Sequence, residues 1–146
     1  MILTAHFSLD EFTISQTAAR AGIDNTIPTE LLPNIKRVAG ALEIVRGVLD
    51  VPVLISSGYR CPALNSLVGG VPTSAHTRGL AADFTAPAFG TPLQVARKLV
   101  EEGIVWDQLI YEFGTWVHLG LAITDDAARH EVLQIAVGTG YLPGLP

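Results

Sequence analysis

Sulfur is nearly absent. The chain of 146 residues has a single cysteine, Cys61, so no intrachain disulfide forms and folding needs no oxidising compartment. Charge is also sparse: only 16% of residues are Asp, Glu, Lys or Arg, and the net charge is −5. No block of Lys and Arg stands out, which argues against a nucleic-acid partner. An anionic substrate would gain no general attraction and must be held by a local cation. No apolar run is long enough to span a bilayer, so no membrane role is expected. The opening Met1 to Phe12 lacks a basic segment followed by an apolar one, so no signal peptide is expected. What is present is a hydrophobic content of 49%, enough to bury a core within one domain over residues 1–146.

The pattern along the chain predicts an α+β domain, a small antiparallel sheet with helices packed on it. Ser8-Leu9-Asp10-Glu11 has capping-box spacing and predicts a helix to about Ala21, stopped by Gly22. A longer helix begins near Thr29. Its apolar positions Leu31, Leu32, Ile35, Val38, Ala39, Leu42, Val45 and Leu49 follow helical spacing. Val51 to Ile55 reads as a strand, placed at an edge by Pro52. A short helix over Cys61 to Val68 precedes a loop that holds Ser74 and His76. Leu80 to Thr85 reads as a strand. Thr91 to Glu102 reads as a helix with Pro92 at its first position and Gly103 past its end. Trp106 to Phe113 and Trp116 to Ile123 predict a hairpin turning at Gly114. Asp125 to Val137 is expected to be a last helix, and residues 138–146 an irregular tail.

The segment Ser74-Ala75-His76-Thr77-Arg78-Gly79-Leu80-Ala81-Ala82-Asp83 carries the most chemistry. An imidazole and a carboxylate, both good zinc ligands, stand seven residues apart across a turn that Gly79 permits. His118, in Trp116-Val117-His118, offers a third donor. Two histidines and one carboxylate leave a fourth position open, the layout of a catalytic rather than a structural zinc. Spacing alone does not separate this from a loop histidine, a turn-capping aspartate and a sheet histidine.

The residues that do so are Ile55-Ser56-Ser57-Gly58-Tyr59-Arg60, Asn65, Gly69-Gly70, Ser74-Ala75-His76, Gly79, Ala82-Asp83 and Trp116-Val117-His118. Together they resemble the M15 family of zinc peptidases. That family includes D-alanyl-D-alanine carboxypeptidases and phage endolysins that cut between L-alanine and D-glutamate. The opening His6-Phe7-Ser8-Leu9-Asp10-Glu11-Phe12 resembles a compact, phage-associated branch. The resemblance implies the hedgehog/D-Ala-D-Ala peptidase type of fold and one Zn²⁺ held by His76, Asp83 and His118. It further implies that Arg60 binds substrate or the developing oxyanion, a task suited to a guanidinium. The implied partner is a peptidoglycan stem peptide, met by a monomer. Without a signal peptide, the protein would reach the wall after lysis or as a virion component.

The general base departs from the simplest family pattern. Relatives place a carboxylate or histidine three residues before the last ligand, where this chain has Thr115. Glu112 is the favoured substitute. It shares a sheet face with His118 if the hairpin loop has an odd number of residues. Asp107 is the reserve. Tyr59, Ser74 and Trp116 are candidate substrate contacts, against the alternatives of core packing for the aromatics and local backbone bonding for the serine. His6 and His130 are expected to stand outside the site. Two other functions compete: a hydrolase using Cys61 with His76 and Asp83, and a zinc-containing wall-binding module without turnover.

Overall fold

The computed structural model describes residues 1–146. It contains five α-helices, α1 (Leu9–Thr13), α2 (Gln16–Ala21), α3 (Leu32–Leu49), α4 (Pro62–Leu67) and α5 (Pro92–Glu102). Six strands, β1 (Leu54–Ser57), β2 (Ala81–Thr85), β3 (Gln108–Glu112), β4 (Trp116–Gly120), β5 (Glu131–Ile135) and β6 (Leu142–Pro143), form one sheet in the order β1-β2-β4-β3-β5-β6. Every pairing is antiparallel except β3 with β5. The α+β class is the one expected, with the parallel β3–β5 pair the one departure from an antiparallel sheet.

The helix signals act as the sequence implies. At α1 the Ser8 N–H donates to the Glu11 carboxylate at 2.7 Å. Thr91 and Gln94 form a full capping box on α5, and Gly103 closes that helix in the left-handed region at φ 67°. The predicted periodicity of α3 is visible in its burial: Ile35, Val38, Ala39, Leu42, Val45 and Leu49 are all in the core. These pack with Val95, Ala96 and Leu99 of α5 against Ala82, Phe84, Leu109, Val117 and Leu119 of the sheet. Strand alternation therefore places one face of the sheet in the core and leaves the other for a cleft.

Three boundaries differ from expectation. The first helix is two helices, because Ile14 is extended at ψ 128° and the Ser15 hydroxyl accepts from Ala18 N–H, capping a fresh start. The expected edge strand is shifted to Leu54–Ser57, past Pro52, although it does lie at the sheet edge. The largest correction is the last helix. Asp125–Ala127 is one 3₁₀ turn, Ala128 is extended and His130 has φ 54°. The chain then enters β5, which pairs in parallel with β3. An open sheet edge supplies hydrogen bonds that a short, weakly patterned helix would not match, so tertiary pairing overrides local preference. Within the tail, Leu142 and Pro143 pair with Gln134 and Leu133; the remainder is irregular.

Candidate active site

Two glycines shape the approach to the site. Gly58 follows β1 so closely beneath α1 that a Cβ there would lie 2.6 Å from the Phe12 backbone. This leaves the Gly58 carbonyl free to accept from His76 Nδ1 at 2.6 Å. Gly79, at φ 66°, ends the 3₁₀ turn Ala75–Arg78 in the left-handed region and sends the chain from His76 into β2. Asp83 on β2 then lies directly opposite His118 on β4.

The three side chains converge. His118 Nδ1 is 2.9 Å from Asp83 Oδ1, and His76 Nε2 is 3.2 Å from both Asp83 Oδ1 and His118 Nδ1. All three residues are buried. A proton on His76 Nδ1 serves the Gly58 carbonyl, so neutral His76 turns a lone pair at Nε2 toward two further donor atoms. Three electron-rich atoms facing one point call for a cation. Zinc at about 2.0–2.1 Å from each tetrahedral ligand needs ligand atoms roughly 3.3 Å apart, close to the spacing found. The group could hold a metal ion, and all three residues line the cleft.

Electrostatics follow from burial and mutual charge. Burial lowers His76 and favours the neutral, ligating imidazole, against the pull of Asp83. Burial would raise Asp83, but the charges and hydrogen bonds of His76 and His118 win and hold its carboxyl well below the usual range. His118 moves up: burial opposes the charged form but is outweighed by Asp83 and Glu112.

Glu112 lies beside this group. The loop between β3 and β4 is Phe113-Gly114-Thr115, an odd number of residues, and Glu112 pairs with Trp116 while Ile110 pairs with His118. Glu112, Trp116 and His118 therefore share the cleft face. Glu112 Oε1 is 3.8 Å from His118 Nδ1, and Oε2 accepts from Trp116 Nε1 at 3.1 Å. Burial first, then the charge of Asp83, push the Glu112 carboxyl up from its ordinary value. Thr115 is exposed and its hydroxyl donates to the Phe113 carbonyl.

Asp107 also borders the cleft, but Arg129 occupies it. The guanidinium donates to both oxygens at 3.0 and 2.7 Å, and Arg129 N–H adds a third bond. A carboxylate so engaged has little basicity to spare, and its pKa is lowered chiefly by the Arg129 hydrogen bond.

Arg60 reaches the cleft, where Nη1 donates to Asn65 Oδ1 at 3.1 Å and the buried Nε has no partner. Burial lowers its pKa and the charges of Asp83 and Glu112 oppose that; a guanidinium remains charged throughout. Tyr59 touches the cleft wall yet is only 4% exposed and belongs to the core cluster. Ser74 borders the cleft, and its hydroxyl accepts from His76 N–H at 3.3 Å, tying the ligand loop. Cys61 caps α4, its Sγ accepting from Leu64 N–H. Both ring nitrogens of His76 are engaged elsewhere, which leaves Cys61 without a base. His6 pairs with Glu43 on the far surface, and His130 is exposed.

One positioning residue gave no signal in the sequence. Buried Asn25 donates from Nδ2 to the Thr13 and Tyr59 carbonyls and accepts from Cys61 N–H at Oδ1. It thereby clamps the segment carrying Arg60. An asparagine in a polar stretch before a helix looks like any loop residue; only its burial distinguishes it.

The cleft holds about 920 Å³. A buried His-Asp-His donor set facing a cleft, with a carboxylate beside it, fits a metal-dependent hydrolase. The family model Peptidase M15 matches residues 5–120, and the chain belongs to that family of metallopeptidases, in which the metal is usually zinc. No curated protein gives a significant match. No helix is long and apolar enough to cross a membrane.

Proposed function

We propose that this protein hydrolyses amide bonds in peptidoglycan stem peptides, as an endolysin-like endopeptidase or a D,D-carboxypeptidase. The observation that carries the reading is Glu112, oriented by Trp116 and placed next to His76, Asp83 and His118 in an open cleft. The wall substrate is supported by the resemblance to wall-cutting M15 peptidases. It accords with a guanidinium in the cleft of a chain whose net charge is negative.

His76, Asp83 and His118 would hold the metal ion. Zinc bound there would supply Lewis acidity and a lowered pKa for water. Glu112 takes a proton from the attacking water and hands it to the leaving amine, while Trp116 keeps its carboxylate turned to the cleft. Arg60 lines the cleft and offers its guanidinium to the carbonyl oxygen as charge grows there, or to a substrate carboxylate. All these residues come from one chain, so a monomer suffices. Access to the wall follows host lysis or delivery as part of a virion, with no nucleic acid or membrane as partner.

Digestion of purified peptidoglycan by zinc-loaded protein, followed by mass spectrometry of the products, tests the proposal. New amino termini on D-glutamate identify an endopeptidase, and released D-alanine a carboxypeptidase. Binding to the wall without any new terminus would reject catalysis in favour of a wall-binding module.

A further inference from the structure

The family match ends at residue 120, yet the cleft does not. β5 and β6 extend the same sheet face by two strands. In this register Glu112 of β3 stands beside Ile135 of β5, and Ile110 beside Leu133. The pairing of Leu142 with Gln134 and of Pro143 with Leu133 brings Tyr141 level with Ile135. Trp116, Glu112, Ile135 and Tyr141 thus form one row across the face, with neighbouring strands about 4.8 Å apart.

Leu133, Ile135 and Tyr141 all line the cleft. The two aliphatic residues are half-buried, and Tyr141 is 57% exposed. The segment is well anchored for such an exposed wall. Gly144 N–H donates to the Val132 carbonyl, Gln134 Nε2 to the Gly144 carbonyl and Arg97 to the Pro146 carbonyl, while Leu145 packs on the core. Arg60, after β1, and Ser74, before β2, line the cleft at the other end of the sheet. A peptide lying between the two ends meets an apolar end and an end suited to a carboxylate.

We propose that Leu133, Ile135 and Tyr141 form a substrate subsite that selects an apolar side chain close to the scissile bond. Ile135 is one strand spacing from Glu112 and Tyr141 two. An extended peptide advances about 3.4 Å per residue. A side chain seated on this wall therefore belongs to a residue within about three positions of the cut. Seating it against the carbon surface of Leu133, Ile135 and the Tyr141 ring favours leucine over asparagine, which has similar shape but would lose water around its amide with at most the Tyr141 hydroxyl to replace it. The subsite rests on the peptidase reading above.

The test is steady-state cleavage of synthetic stem-peptide analogues in which each position flanking the cut is leucine or asparagine in turn. The parent should prefer leucine at one of these positions. Tyr141→Ala and Ile135→Thr should each lower kcat/KM for that leucine peptide by ~10-fold or more, the usual worth of apolar pocket contacts. The loss should lie mainly in KM and be far smaller for the asparagine peptide. Tyr141→Phe should restore the preference, since the ring supplies the contact. Zinc content and thermal midpoint, measured on every variant, should match the parent. Equal loss on both peptides, faster cleavage of both, or an unaltered preference would overturn the subsite while leaving the peptidase reading intact. A parent that cuts no peptide would overturn the peptidase reading itself.

Discussion

The two faces of β4 obey opposite rules. Val117 and Leu119 point toward α3 and α5 and are fully buried among other carbon atoms. Trp116, His118 and Gly120 point the other way, into a cleft that gathers His76, Asp83, Glu112 and Arg60. On the core face each residue gains by being removed from water. On the cleft face burial penalises the charged forms of His76, Glu112 and Arg60. That cost is offset in part by neighbouring opposite charges, Asp83 for His76 and Arg60, and His118 and Arg60 for Glu112, while a metal ion would favour the neutral, ligating form of His76. Residues one position apart in sequence therefore serve stability or chemistry according to the direction of the pleat.

This division should be visible in variants. Loss of a ligand is the most severe: His76→Ala or His118→Ala should abolish zinc binding and hydrolysis together, whereas His130→Ala should change neither. Metal analysis beside an activity assay checks this, and full activity after exhaustive chelation would reject the metal site. Next comes Glu112→Gln, which keeps size and zinc while turnover falls about 10²–10⁴-fold, the usual share of general acid–base catalysis. Near-normal turnover by the zinc-loaded variant would remove Glu112 from the base position. Arg60→Lys should cost roughly 10²-fold in kcat/KM with zinc content unchanged, since an ammonium lacks the planar fork.

The core face should respond in the reverse manner. Leu119→Ala should lower stability by about 2–5 kcal/mol in denaturant unfolding. Activity per folded molecule should fall far less than in Glu112→Gln. A large catalytic loss without destabilisation would mean the faces are not separable at β4.

Asp107→Asn is the mildest. Its ion pair with Arg129 joins the start of β3 to the segment before β5. Because Arg129 is 58% exposed, solvent screening keeps the expected cost well under about 1 kcal/mol. The folded-state pKa of Asp107 is depressed, so its contribution is present above the unfolded carboxyl value of about 3.9 and fades as pH falls through the lower folded value. Parent and variant should differ in unfolding midpoint at pH 7 and converge at strongly acid pH, with unchanged hydrolysis at pH 7. A catalytic loss matching that of Glu112→Gln would make Asp107 the base instead.

Much of this architecture is local and was legible in the chain. The α3 stripe, the Thr91 cap and Gly103 stop of α5, and the hairpin at Gly114 each arise from residues near in sequence, whose spacing repeats with the geometry of the element they form. The pairing of His76 with Asp83 across Gly79 was suggested by local spacing, but only the resemblance to the M15 family set it apart from a loop histidine and a turn-capping aspartate. What only the tertiary structure decided involves distant partners. Whether Glu112 faced His118 turned on the length of the loop, three residues here, which set the register of β3 against β4. Asp107 was set apart from it by Arg129, 22 residues away. The segment after Asp125 carries a pattern compatible with helix or strand; the open edge of β3 drew it into a sheet and thereby built a wall of the cleft. Short-range spacing encodes caps, turns and amphipathic faces, whereas hydrogen-bond pairing at a sheet edge and the burial of Asn25 depend on surfaces that exist only once the chain has folded.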